Sequence, residues 1–392
     1  MSGRALCAVA LAAAAVAAAG GCGGDDDGRQ APQGALDVYV SVPTHGPTAP
    51  AGRAMAAGVR LALRDAGGRA GGRRLRLVTL SSNRPGDQDW DPGTVEANAK
   101  RAADDPRTIA YVGEMDRGAS AVSVPRTNHA ELLQVSPLDG LTSLTRRPPG
   151  RPRAGPERYY PGEKRTFLRL VPTDTRIADE MVALARPARK RRIALVDTVD
   201  FAPRELGAVL DARVRRHTVP VAHIVLKSDP DGVPDAVREL ALSRPDAVLV
   251  AGEPGPVARA LLARLALRLP DATVVASPGL AATAGEGSGA TAVTALLPAE
   301  AQPRRGLRVL RRLGTAGRPE ALYGYDAMST VIKAVAEGGG DRRAVVRAAL
   351  RPSARRGTTG AFTVIPGGDV VRDRLALVPL DGGVVRIRRA AP

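Results

Sequence analysis

Ten short runs rich in Val, Ile and Leu, at 37–42, 75–80, 109–112, 132–135, 167–171, 193–196, 221–226, 247–250, 273–276 and 291–296, punctuate this chain. Between them lie segments of helical periodicity, among them 51–66, 93–103, 118–129, 175–185, 203–216, 234–242 and 256–267. Strands that are apolar without alternation are covered on both faces, and strands that alternate with amphipathic helices belong to parallel sheets. The pattern predicts a doubly wound α/β architecture. Ten strands exceed the usual sheet of about six, so two lobes are expected. Ligands bind such sheets beyond the carboxyl ends of the strands, which directs the search for a site to the loops that follow them.

The N-terminus carries a separate message. Residues 1–4 hold one positive charge and 5–19 are an unbroken apolar run of 15 residues, short of the roughly 20 needed to span a bilayer. This is a signal-peptide layout. Ala19-Gly20-Gly21-Cys22 resembles a bacterial lipobox, with Ala19 where leucine is usual. That resemblance implies an acylated Cys22 as the new N-terminus and an extracytoplasmic protein held to the membrane by lipid. A plain secretory signal cut near Ala19 is the alternative. Cys7 leaves with the signal, so Cys22 has no partner for an intrachain disulfide. Residues 1–21 are thus assigned to the signal and 22–35, rich in Gly, Asp and Gln, to a flexible tether.

The formal charge of +17, from 57 Lys+Arg against 40 Asp+Glu, raises nucleic acid as a partner. Only five of the 57 are lysines, the charges are scattered along the helices and aromatics amount to 3%, so nucleic acid is not expected. The dense basic runs 186–192 and 146–165 read as a solvated face and a mobile loop, with anionic lipid headgroups as the alternative partner. No G-x-S-x-G, G-x-x-x-x-G-K-[ST] or H-E-x-x-H pattern occurs, and 285–290 reads as a turn rather than a dinucleotide loop. The histidines, His45, His129, His217 and His223, lack metal-ligand spacing. Neither an enzyme, a cofactor nor a metal is expected.

Several stretches together carry a family resemblance. YVSVPTHGPTAPAGRAMAAGVRLALRDAGG (39–68) followed by GGRRLRLVTLSSN, the unit 91–137, FLRLVPTD (167–174), YGYDA (323–327) and RGTTGAFTVIPGGDV (356–370) resemble, in order, the branched-chain amino-acid-binding proteins of ABC importers. The resemblance implies a type I periplasmic-binding-protein fold, in which two Rossmann-like lobes joined by a three-strand hinge close on a small molecule. It places the crossings near Val171, Leu297 and Val364. The N-terminal lobe is then 36–170 and 298–364, and the C-terminal lobe 171–297 and 365–392. The implied partners are a small-molecule ligand and ABC permease subunits. A sensor of the same fold with no transport role is the alternative.

The resemblance also marks where this chain departs from the family. In the loop 113–118 (Gly-Glu-Met-Asp-Arg-Gly), Arg117 stands where a small hydroxyl residue usually meets the ligand carboxylate, with Met115 and Asp116 beside it. A guanidinium is a stronger, forked partner for a carboxylate, and also bulky enough to fill a cleft. Leu138 and Asp139 occupy the next strand-end loop, Phe201 the place of an aromatic wall, Glu253 that of another aromatic, and Pro278 that of the acid for a ligand amine. Thr44 and His45 lie in the loop after the first strand. Three readings stay open. Arg117 with Glu253 or Asp139 holds a small zwitterion; the ligand is a peptide, a polyamine-like cation or an organic acid; or these charges are solvated loop residues around a degenerate cleft.

Overall fold

The computed structural model describes residues 34–186, 192–283, 288–314 and 318–389. The expected signal, the lipobox-like stretch with Cys22, nearly all of the expected tether, 187–191 of the basic run and 285–287 of the expected turn lie outside the described residues.

Each of the ten expected runs is a strand. In the first lobe these are β1 (Leu36–Val42), β3 (Arg73–Ser81), β4 (Thr108–Val112), β5 (Leu133–Ser136) and β6 (Phe167–Arg169), with a short β2 (Arg69–Ala70) before β3. Helices α1 (Ala49–Asp65), α2 (Pro92–Asp104) and α3 (Ser120–His129) connect them. The sheet order is β2-β3-β1-β4-β5-β6, all parallel except β2. In the second lobe α4 (Asp174–Ala185), β7 (Ile193–Thr198), α5 (Phe201–Val214), β8 (Ala222–Leu226), α6 (Val233–Ser243), β9 (Ala247–Ala251), α7 (Pro256–Arg268), β10 (Thr273–Ala276) and β11 (Thr291–Thr294) follow. Strands β1, β4, β7 and β9 are buried along their whole length, as strands covered on both faces must be.

The chain then returns to the first lobe as α8 (Arg304–Leu313), α9 (Glu320–Gly338) and α10 (Arg342–Leu350), followed by the antiparallel sheet β12 (Ser353–Gly357), β13 (Gly360–Ile365) and β14 (Asp369–Val371). It ends on β15 (Arg374–Pro379) and β16 (Arg386–Arg389), which extend the second sheet to β16-β15-β11-β10-β9-β7-β8. Helices α1 and α9 pack backbone to backbone. A Cβ on Gly58 would lie 1.8 Å from Ala321 O, and one on Gly324 2.2 Å from Met55 O.

The three crossings are tied to one another. The buried Arg372 donates from Nε to Leu170 O at 2.5 Å and from Nη2 to Thr359 Oγ1 at 3.0 Å, and its guanidinium lies 4.8 Å from the Phe362 ring centre. The Tyr323 hydroxyl donates to Ala295 O at 2.5 Å. Between β14 and β15 the chain passes from the three-stranded sheet to the second large sheet. Asp369 holds β14 to the first lobe, accepting from Thr145 Oγ1 at 2.7 Å and pairing with the fully buried Arg169 at 3.0 Å. The loop 146–165, expected to be mobile, is pinned by two buried aromatics. Tyr160 donates from its hydroxyl to Leu144 O at 2.6 Å and carries Arg165 4.1 Å from its ring centre, and Tyr159 is buried beside it.

Candidate functional site

Because β1 and β3 to β6 run parallel in the first sheet and β7 to β11 in the second, the loops after β4, β5, β7, β9 and β10 gather at carboxyl edges, and those of the two lobes meet. The centre of that meeting is Arg117. Its Nη1 and Nη2 donate to the two oxygens of Asp174 at 2.8 Å each, and its Nε donates to Glu253 Oε1 at 2.9 Å. Asp174 opens α4, where a carboxylate also gains from the N-terminal end of the helix dipole. Its backbone N donates to Gly140 O at 2.7 Å, fastening it to the first lobe. Glu253 follows β9, and its carboxylate rests on the turn beside Pro278: a Cβ on Gly279 would lie 2.0 Å from Glu253 Oε2.

The side chains are 10% exposed for Arg117, 1% for Asp174 and 25% for Glu253. Burial works against the charge on Arg117, but Asp174 and Glu253 outweigh it and hold the guanidinium firmly protonated. Burial pushes Glu253 up to about 7; Arg117 pulls it down, while Asp89 and Asp174 push it further up. Asp116 stands next to this group. Burial, then Asp89 and Glu114, raise it well above the ordinary carboxylate range, and its Oδ2 has no hydrogen-bond partner.

The other expected residues divide. Phe201, at the start of α5, is 42% exposed, and a Cβ on Gly118 of the first lobe would lie 3.4 Å from its ring, so it does stand at the lobe boundary. Thr44 and His45 do not reach the Arg117 group through the hydrogen bonds they make. The Thr44 hydroxyl donates to Ser81 Oγ at 2.7 Å, and the backbone N–H groups of Thr44 and His45 both donate to Asn83 Oδ1. Met115 and Leu138 pack against the hydrophobic core. Asp139 is not available for a cation. It is fully buried, and its carboxylate accepts from Ser120 N at 3.1 Å and Leu141 N at 3.0 Å, holding the start of α3 against the β5 loop.

Two features were missed from sequence. Asp174 was read only as the end of the FLRLVPTD motif; its pairing with Arg117 spans 57 positions and has no local signal. Glu114 was passed over between Gly113 and Met115. Burial pushes it up to about 7, while Tyr111, whose hydroxyl donates to Glu114 Oε1 at 2.6 Å, opposes the rise together with Ser41 and Ser123.

The fold recurs in solved structures of solute-binding proteins. A solute-binding protein of an ABC transporter from R. palustris in complex with benzoate superposes with a TM-score of 0.72 at 20% identity, over 92% of this chain and 97% of that one. A leucine-binding protein from Thermotoga maritima gives 0.71 at 16%, over 90% and 97%. A branched-chain amino acid transporter substrate-binding protein from Streptococcus pneumoniae, in complex with isoleucine, gives 0.70 at 16%, over 91% and 100%. These likenesses establish the fold, a type I periplasmic binding protein. No curated protein matches the sequence. The sequence profile of the family described as periplasmic binding protein matches residues 38–381, and the chain belongs to that family.

Proposed function

We propose that the protein is the extracytoplasmic solute-binding component of an ABC importer, capturing a small polar solute between its lobes and presenting the closed form to a permease. The observation that carries this reading is the Arg117 group, in which a guanidinium from one lobe reaches carboxylates on the other at the edge where α/β sheets bind ligands. Family membership and the benzoate and isoleucine held by the R. palustris and S. pneumoniae proteins support it. The hinge supports it as well, since three crossings tied through Arg372 and Tyr323 give the lobes a pivot. The lipobox at Cys22 adds a membrane anchor to the reading, since two or three acyl chains hold a protein stably where one does not. A thermal-shift screen against amino acids, small peptides, polyamines and organic acids tests it, because a solute that binds only the folded state raises its stability by mass action. A hit that Arg117→Ala abolishes is the expected result.

A further inference from the structure

Arg117 has two partners, and they are held very differently. Asp174 lies three residues past the first crossing and is fastened to the first lobe independently of Arg117, through Asp174 N to Gly140 O at 2.7 Å and Thr175 N to Thr142 Oγ1 at 3.0 Å. Its own backbone therefore ties it to the lobe of Arg117 in addition to the ion pair. Glu253 lies beyond the inner strand β9, and among the described residues its hydrogen bond to the first lobe is the one with Arg117. A quarter of its side chain is exposed, so it has room to leave.

We propose that Glu253 is a built-in competitor for the solute: its carboxylate occupies the Nε edge of the Arg117 guanidinium, and a solute carboxylate binds by taking its place. This deepens the solute-binding reading and rests on it. The geometry makes Arg117 a carboxylate receptor that is never vacant. An intramolecular carboxylate is present at high effective concentration, so a solute must bring a carboxylate together with further contacts to displace it. Specificity then comes from an element that works against weak binders as well as from contacts that favour the right one. The solute class is accordingly a carboxylate large enough to touch both lobes, and the smallest carboxylates are rejected.

The test is calorimetric titration of benzoate into the wild-type protein, Glu253→Gln and Glu253→Asp. Glutamine keeps the size of the side chain and removes its charge; aspartate keeps the charge and withdraws it by one methylene. The expected result is at least about tenfold tighter benzoate binding in Glu253→Gln, an intermediate gain in Glu253→Asp, and loss of the gain when Arg117→Ala is added. Circular dichroism checks that each variant is folded. Benzoate binding no tighter in Glu253→Gln than in the wild type overturns the competitor. If solutes of the screening panel still bind the wild type in that case, the solute-binding reading stands without it. If no compound of the panel binds the wild type or Glu253→Gln, the solute-binding reading itself fails.

Discussion

A guanidinium that is nine-tenths buried and shared between two carboxylates is costly to disturb, because removing it leaves Asp174 charged and desolvated. Arg117→Ala is expected to destabilise the protein by about 3 kcal/mol in denaturant unfolding, and Arg117→Lys to recover little of this, since an ammonium cannot meet Asp174 with two parallel bonds. Glu114 gives a second prediction. It is fully buried, and its carboxyl is raised from 4.5 to about 7, so the folded state holds the proton more tightly than the unfolded chain does. The stability it contributes is complete below about 4.5 and is lost as pH rises towards 7. Glu114→Gln should therefore flatten that part of the pH–stability profile and be the more stable protein at pH 8, by roughly 3 kcal/mol. At this scale the sequence was legible only in part. Arg117 and Glu253 stand out because they depart from the family pattern that the resemblance implies for the strand-end loops. Asp139 looked equally promising, and only its geometry reveals that backbone amides consume it.

Single turns decide how the elements fit. Asp326, within α9, accepts from Thr358 N at 2.6 Å, Thr358 Oγ1 at 2.8 Å, Thr359 N at 3.0 Å and Thr359 Oγ1 at 2.6 Å, and so fixes the turn between β12 and β13. Asp326→Ala leaves four buried donors without this acceptor and is expected to cost about 3 kcal/mol or more, read from chemical denaturation. Gly324→Ala should cost roughly 1–3 kcal/mol by forcing α1 and α9 apart, with the melting temperature as the readout. The ten strands were legible because continuous apolar runs have few alternative uses. The helices α8, α9 and α10 were not among the segments singled out by periodicity. Helix α8 is one reason: half of its residues are arginine, with Gly306, Val309 and Leu310 as its buried residues. The YGYDA and RGTTG motifs were seen as family marks, and their physical link, Asp326 bonded to two threonines, needed the fold.

In the proposed function, the two lobes of the whole molecule work as one binding device on a hinge. Asp369, past the expected crossing near Val364, is bound to Arg169 and Thr145, and no local pattern around Val364 encodes those partners. If Cys22 anchors the chain, Cys22→Ser should move the protein from the membrane fraction to the soluble extracytoplasmic fraction, as cell fractionation would read; a variant that stays with the membrane argues against the lipid anchor. In the solute-binding reading a solute is captured at Arg117 between the lobes. The most direct test of this capture is the thermal-shift panel run in parallel on the wild type and Arg117→Ala, each referred to its own solute-free melting temperature. A carboxylate-bearing solute is expected to raise the wild-type value and to leave that of Arg117→Ala unmoved. A panel that shifts neither protein, or shifts both equally, would contradict it.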